Sequence, residues 1–187
     1  SSGLDALNQA FESIWNKNKT PFSTFTASRS IKLAMEALPR LNKNLKDKEA
    51  RKLIAQASLF AGFAISQTRT AICHSISYPL TAKFGIPHGL ACAFTMYSVA
   101  KKVNDYQPNC FADVIMEMNL NSSKLLLNKI KNIVDIFKVN DEIKKLILER
   151  NNVLELIDEM ETPGRSDNFI MPINQELIKN ILQESFL

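Results

Sequence analysis

Residues 73–89 read Cys-His-Ser-Ile-Ser-Tyr-Pro-Leu-Thr-Ala-Lys-Phe-Gly-Ile-Pro-His-Gly, and this stretch holds both histidines of the 187-residue chain. His88 stands in a Pro-His-Gly corner, where Pro87 fixes φ and Gly89 accepts backbone shapes that other residues resist. The corner therefore predicts an imidazole that is held in one place. Two neutral imidazoles brought together by a rigid turn form half of a site for a divalent transition metal. A hydrogen-bonded pair of histidines is the other interpretation of this spacing.

The composition limits what the chain can be. At 45% hydrophobic, the 187 residues can bury a substantial core, and we expect one domain over residues 1–187. The net charge is +4, and no aromatic residues interleave with the densest lysine cluster, at 43–52, so nucleic-acid binding is not expected. The five glycines form neither GxGxxG nor GxxxxGK[ST], which argues against a nucleotide phosphate loop.

The cysteines and the hydropathy pattern bear on the compartment. Cys73, Cys92 and Cys110 show no CxxC spacing and are odd in number, which is typical of buried, reduced thiols in a cytoplasmic protein. No apolar run reaches the roughly 18 residues that a membrane-spanning helix needs. We therefore expect a cytoplasmic protein with no membrane partner.

The hydrophobic pattern predicts an all-α helical bundle, because β-branched residues never alternate over a useful length. A helix dense in small residues, capped by Asp47, is predicted over 50–72 as the centre of the bundle, delivering His74 into the interior. Pro39 is expected to end or kink the helix before it, and Pro79 could begin a new turn. The other predicted helices are one with Ser2 as its N-cap, 23–38, 89–102, 109–118, 122–137, 141–150, 153–160 and one capped by Asn174 that ends near Phe186.

The first helix carries two polar residues beside its apolar stripe. Asp5 and Gln9 are one turn apart and share one face. A carboxylate on the buried side of a helix needs a partner, since an unpaired buried charge is costly, and a cation would serve. The other interpretation is that Asp5 only complements the helix dipole in the first turn.

Several separated motifs then resemble one family. Residues 3–13, 57–62, 74–89 and 164–168 resemble the C-terminal domain of iron-containing (group III) alcohol dehydrogenases, in the same order along the whole chain. The resemblance implies the helical, metal-binding domain of a dehydroquinate synthase-like fold. It also implies a Rossmann-like N-terminal domain that binds most of the NAD or NADP, and we expect that domain to be absent from this chain.

The resemblance implies a site as well as a fold. By motif, the metal ligands for Fe²⁺ or Zn²⁺ fall on Asp5, Gln9, His74 and His88. The family has a histidine where this chain has Gln9, and a neutral amide is a poorer ligand, so we expect a weakened site. Gln9 could instead hydrogen-bond Asp5 without ligating. Tyr78 replaces a family histidine near nicotinamide and substrate, where it could bind or protonate the substrate oxygen or simply pack in the core.

The implied activity is metal-assisted hydride transfer on a small alcohol or aldehyde by an NAD(P)-dependent dehydrogenase or reductase. We expect this chain to be one domain of such an enzyme and to be inactive alone. Residues 12–18 and 77–81 are similar to the phosphonoacetaldehyde reductase branch. A homodimer is one assembly that the family allows. One alternative is a degenerate, metal-poor relative that serves as a structural or interaction module. Another is a helical domain paired as in glycerol dehydrogenase or dehydroquinate synthase, where Zn²⁺ ligation differs.

Overall fold

The computed structural model describes residues 1–147 and 150–187, except for the side chains at 150 and 151. Over these residues the chain is all-α, as predicted, and the one β feature is an isolated bridge between Asn16 and Phe169. None of the described helices has the length and apolar character needed to cross a membrane. The helices are α1 (Ser2–Ile14), α2 (Pro21–Lys43), α3 (Lys48–Thr68), α4 (Ile72–Phe84), α5 (His88–Tyr106), α6 (Ala112–Glu117), α7 (Ser123–Ile136), α8 (Val139–Leu146), α9 (Arg150–Leu154) and α10 (Gln175–Ser185), with 3₁₀ turns at Pro108–Phe111, Ile157–Met160 and Ser166–Asn168.

The centre of the bundle is α1, not the helix rich in small residues. Phe11 and Trp15 are fully buried and stack with ring centroids 5.4 Å apart, and Phe111 meets both rings edge-on. In α3, by contrast, Leu59 and Phe63 are 58% and 45% exposed. The small residues of α3 lie along one face, which packs against α2 and α1. The prediction that this helix is central was therefore wrong.

The second helix is longer than predicted at both ends. It begins at Pro21 because Thr20 and Ser23 form a capping box, with Ser23 N donating to Thr20 Oγ1 over 3.1 Å. Pro39 does not end it. Arg40, the next residue, makes two hydrogen bonds of 3.0 Å to Asp47, which also caps α3 as predicted. The turn beyond the proline is thus fastened to the following helix, although proline removes one backbone donor.

The predicted continuous helix over 50–72 is broken. In the structure α3 ends at Thr68, Arg69 takes a positive φ of 60°, and α4 starts at Ile72. Pro79 lies inside α4 and does not begin a new turn. The corner after α4 follows the prediction: Gly85 ends the helix in the left-handed conformation at φ 65°, and α5 begins directly after Pro87.

The second half agrees in outline. Asn174 caps α10 by accepting from Leu177 N over 2.8 Å, as predicted. The helix predicted over 109–118 is a 3₁₀ turn followed by α6, and the one over 153–160 is the end of α9 followed by a 3₁₀ turn. The helix predicted over 141–150 corresponds to α8, while residues 148–149 lie outside the described part of the chain. Ser1, one residue earlier than predicted, occupies the N-cap position of the first helix, and its hydroxyl accepts from Gly89 N and makes no capping hydrogen bond within the helix.

Candidate metal centre

A buried carboxylate on α1 accepts the backbone hydrogen bonds at the N-terminus of α4. Glu12 is fully buried and accepts hydrogen bonds from Ala71 N at 2.8 Å, Cys73 N at 2.6 Å and His74 N at 3.3 Å. These backbone donors surround the first turn of α4, whose N–H groups have no partner within the helix. Glu12 therefore explains why a new helix begins at Ile72. The sequence prediction missed this role, although Glu12 follows Asp5 by two turns on one face.

The same carboxylate orients the first histidine. His74 is 3% exposed, and its Nδ1 lies 2.6 Å from Glu12 Oε2. Its Nε2 faces the other way and lies 3.2 Å from Asp5 Oδ1. An imidazole held by a carboxylate through one nitrogen, with the other nitrogen presented to a shared point, is the usual arrangement of a metal-ligating histidine.

The second histidine joins this group from the first position of α5. His88 Nε2 lies 3.7 Å from Asp5 Oδ1, and the two imidazole centroids are 5.2 Å apart. A close approach of α1 to α5 makes this possible: Gly89 N donates to Ser1 Oγ over 3.1 Å, and a Cβ on Gly89 would lie 2.1 Å from Ser1 O. Only glycine fits beside the N-terminus of α1 in this arrangement.

Gln9 touches the cluster through Asp5. Its Nε2 donates to Asp5 Oδ2 over 3.1 Å, while Asp5 Oδ1 is the oxygen that faces His74 and His88. The structure thus brings together the four positions predicted from the sequence. Gln9 was interpreted either as a weak metal ligand or as a hydrogen-bond partner of Asp5, and the structure shows the hydrogen bond.

The sequence prediction missed a further member of this cluster, Cys92. It lies one helical turn after His88, is fully buried, and places Sγ 3.7 Å from His88 Nε2. One potential ligand atom from each of Asp5, His74, His88 and Cys92 lies within 4.8 Å of the others. The expectation that Cys92 is a buried free thiol was correct. Its four-residue spacing from His88 was the signal that could have placed it in the site.

The contacts within the cluster shift the pKa values of His74, His88 and Cys92, and the pKa of His88 is raised chiefly by its hydrogen bond to Cys92. Burial lowers the pKa of His74, but the charge of Glu12 and the hydrogen bonds to Asp5, Cys92 and Glu12 outweigh it, so the net shift is upward. Burial raises the pKa of Cys92, but hydrogen bonds to the two histidines reverse this and the net shift is downward. A metal and a proton would compete for Nε2 of His74, so metal binding there should release protons.

Tyr78 lies at the edge of the cluster, not in the core. It is partly exposed, and its ring stacks on His88 with centroids 6.0 Å apart and planes 6° from parallel. The Cζ atom of Arg165 lies 5.9 Å from the centre of the Tyr78 ring. Nη1 of Arg165 donates to Thr70 Oγ1 over 3.1 Å. Asn168 fastens this segment by donating to Thr70 O over 2.9 Å. A tyrosine and a guanidinium therefore flank the histidines.

These features define a class of protein: an all-helical domain in which carboxylate, imidazole and thiol groups converge between three helices. The model of the C-terminal part of the Fe-containing alcohol dehydrogenase family matches residues 1–186. The chain belongs to that family, as its motifs predicted.

Individual relatives agree with the assignment. The phosphonoacetaldehyde reductase of Streptomyces viridochromogenes is 40% identical over 93 residues, 50% of this chain and 24% of that protein. An alcohol dehydrogenase of Thermococcus barophilus is 29% identical over 191 residues, 99% of this chain and 49% of that protein. The solved sulfoacetaldehyde reductase of Bifidobacterium kashiwanohense, in complex with NAD⁺, superposes with a TM-score of 0.86 at 25% identity, covering 99% of this chain and 49% of that one. The chain thus spans about half the length, or less, of these relatives.

Replacing Glu12 tests its role at the start of α4. Glu12→Ala should lower the free energy of unfolding by about 3–5 kcal/mol, because it leaves buried donors without an acceptor. Chemical denaturation followed by circular dichroism measures this loss.

The matched control is Glu142→Ala, which removes a carboxylate from an exposed ion pair with Lys145 and should change the unfolding free energy by at most about 1 kcal/mol. Equal losses in the two variants would show that Glu12 does not hold α4. Should Glu12→Ala fail to fold, Glu12→Gln keeps the shape of the side chain and should show a smaller loss in the same measurement.

Proposed function

We propose that this chain is the metal- and substrate-binding domain of an NAD(P)-dependent alcohol dehydrogenase or aldehyde reductase that acts on a small alcohol or aldehyde. The observation that supports it most is the convergence of Asp5, His74 and His88 in a chain of this family. Carboxylate oxygen and imidazole nitrogen are ligands suited to Fe²⁺ or Zn²⁺. When bound, such a metal would polarise a substrate carbonyl while the dinucleotide carries the hydride.

The residues around the cluster have separate tasks in this proposal. Glu12 holds His74, and Gln9 holds Asp5, so both ligand side chains keep one orientation. Tyr78 stacks its ring on His88, and its hydroxyl group would hydrogen-bond the oxygen of an aldehyde or alcohol bound there.

The complete enzyme would need a second, dinucleotide-binding domain. The relative solved with NAD⁺ has about twice the length of this chain. The chain itself carries no glycine-rich phosphate loop in its sequence. We therefore assign NAD or NADP binding to a Rossmann-like N-terminal domain outside residues 1–187, and expect this chain alone to be inactive.

The proposed substrate is a small aldehyde that carries an anionic group. Phosphonoacetaldehyde and sulfoacetaldehyde, the substrates in the names of two relatives, are two-carbon aldehydes with a phosphonate or sulfonate group. In this chain the Arg165 guanidinium lies against Tyr78 at the edge of the site. Guanidinium groups bind such tetrahedral anions through paired hydrogen bonds.

A second candidate function is a metal-poor module with a structural or interaction role. The observation that favours it is Gln9, whose amide bonds Asp5 where the family resemblance implies an imidazole ligand. Loss of ligand support commonly costs about 10- to 100-fold in metal affinity. Stoichiometric Zn²⁺ or Fe²⁺ in the purified, reconstituted protein would exclude this candidate.

Titration of the isolated chain with NADH and NADPH tests the division of labour between the domains. We expect no saturable heat in isothermal titration calorimetry and no reduction of aldehyde, because the chain has no phosphate-binding loop. Stoichiometric, micromolar binding of either dinucleotide would contradict the assignment of the cofactor to another domain.

The role of Tyr78 is tested in the full-length enzyme. Tyr78→Phe should lower kcat for aldehyde reduction by roughly 100-fold, the lower range for a lost proton donor, while the metal content stays unchanged. The control is Tyr106→Phe, on an exposed tyrosine at the end of α5, which should leave kcat unchanged. Full turnover in Tyr78→Phe would make Tyr78 a packing residue.

The substrate class is tested at Arg165 in the same full-length enzyme. Arg165→Ala should raise KM for phosphonoacetaldehyde by about tenfold or more while KM for acetaldehyde changes little, because a charge-assisted hydrogen bond of about 1.5–3 kcal/mol is lost only with the anion. Arg69→Ala, on an exposed neighbouring arginine, is the matched control. Equal effects on both aldehydes would reject an anion-binding role for Arg165.

A further inference from the structure

The proposed metal centre has three strong donors, and the fourth position is open to two residues. Gln9 contacts the centre by way of Asp5, to which its amide nitrogen donates a hydrogen bond. Cys92 approaches from α5, and its sulfur lies 3.7 Å from Nε2 and 4.0 Å from Nδ1 of His88. The two residues differ in chemistry, since a thiolate is a strong, soft ligand and a carboxamide is a weak one.

We propose that Cys92 is a metal ligand, so that the centre consists of Asp5, His74, His88 and Cys92, and that Gln9 is a positioning residue for Asp5. The inference rests on the proposed function, since it requires a metal at this site. In this donor set the thiolate of Cys92 takes the place of the Gln9 amide, which the family resemblance implied as the fourth ligand.

The distances suit such a centre. Around a tetrahedral Zn²⁺ with bonds of about 2.0–2.3 Å, the ligand atoms lie roughly 3.3–3.8 Å from one another. Asp5 Oδ1 is 3.2 Å from His74 Nε2 and 3.7 Å from His88 Nε2, and Cys92 Sγ is 3.7 Å from His88 Nε2. No pair of the four ligand atoms is more than 4.8 Å apart. Closing the set around an ion therefore requires movements of about 1 Å.

The surrounding structure holds Cys92 in this position. His88 and Cys92 occupy successive turns on one face of α5. Asn8, on α1 and fully buried, donates from Nδ2 to Cys92 O over 3.1 Å, which ties this turn of α5 to the helix that carries Asp5. The thiol is fully buried and takes part in no disulfide.

Gln9 then has a role that does not require ligation. By donating to Asp5 Oδ2, it leaves Oδ1 directed at both imidazoles. A hydrogen bond to the distal oxygen of a ligating carboxylate sets the direction of the proximal one. The weakening expected from Gln9 is offset in this centre by the thiolate.

The donor set has a chemical consequence. On ligation the Cys92 thiol gives its proton to solvent, and the sulfur lone pair forms the bond to the metal, with no change of oxidation state. A set of one thiolate, two imidazoles and one carboxylate suits Zn²⁺ better than the set in which the Gln9 amide replaces the thiolate.

Cobalt substitution of the 187-residue chain tests the proposal, with Co²⁺ alone as the probe. Visible d–d bands report that Co²⁺ is bound, and a near-ultraviolet thiolate-to-cobalt charge-transfer band reports a cysteine ligand. We expect both in the unmodified chain and in Gln9→Ala. Cys92→Ser should lose the charge-transfer band and bind Zn²⁺ at least tenfold more weakly in a chelator competition titration.

The control is Cys110→Ser, because Cys110 is buried but donates to Ile14 O at 3.5 Å and lies outside the cluster. It should retain the band and the Zn²⁺ affinity. Circular dichroism checks the fold of each variant, and Cys92→Ala replaces Cys92→Ser if the serine variant does not fold.

Two results would overturn the inference, and they are distinguishable. Bound Co²⁺ with d–d bands but no charge-transfer band, together with unchanged Zn²⁺ affinity in Cys92→Ser, rejects Cys92 as a ligand and leaves the proposed function standing. An unmodified chain that binds neither Co²⁺ nor Zn²⁺ rejects the metal centre itself, and with it both proposals.

Discussion

The fold and the site both depend on the hydrogen bonds of one buried carboxylate. Glu12 accepts from the backbone at the start of α4 and from the ring of His74. A buried charge is costly unless it is fully hydrogen-bonded, and Glu12 meets that condition with four donors. The carboxylate that begins α4 is therefore the same one that orients a candidate metal ligand.

The first helix unites the remaining constraints. It presents the buried Asn8 and Glu12 and the partly exposed Asp5 and Gln9 to α4, to α5 or to one another, while its apolar residues form the centre of the core. The contact at Gly89 sets how closely α1 and α5 approach, and so sets the separation between Asp5 and the imidazole of His88. Because α1 serves both the core and the site, packing and chemistry are linked in this domain.

Much of the candidate site could be read from the residues. A polar pair beside the apolar stripe of α1 pointed to Asp5 and Gln9, and the Pro-His-Gly corner pointed to His88. In the structure Asp5 converges with His88 and with His74, and Gln9 contacts Asp5. Cys92 was missed because its surroundings, apolar and helical, are those of an ordinary buried thiol, and only the approach of α1 reveals its neighbours.

The sequence by itself determined the all-α class, the capped starts of α3 and α10, the corner before α5 and the family. These features depend on local patterns: apolar spacing, cap residues, and the φ preferences of proline and glycine. Only the tertiary structure decided where α3 ends, how α2 continues past Pro39, and which helix is central. The new start at Ile72 depends on Glu12, roughly sixty residues earlier in the chain, and no local pattern reports a hydrogen bond between segments so far apart.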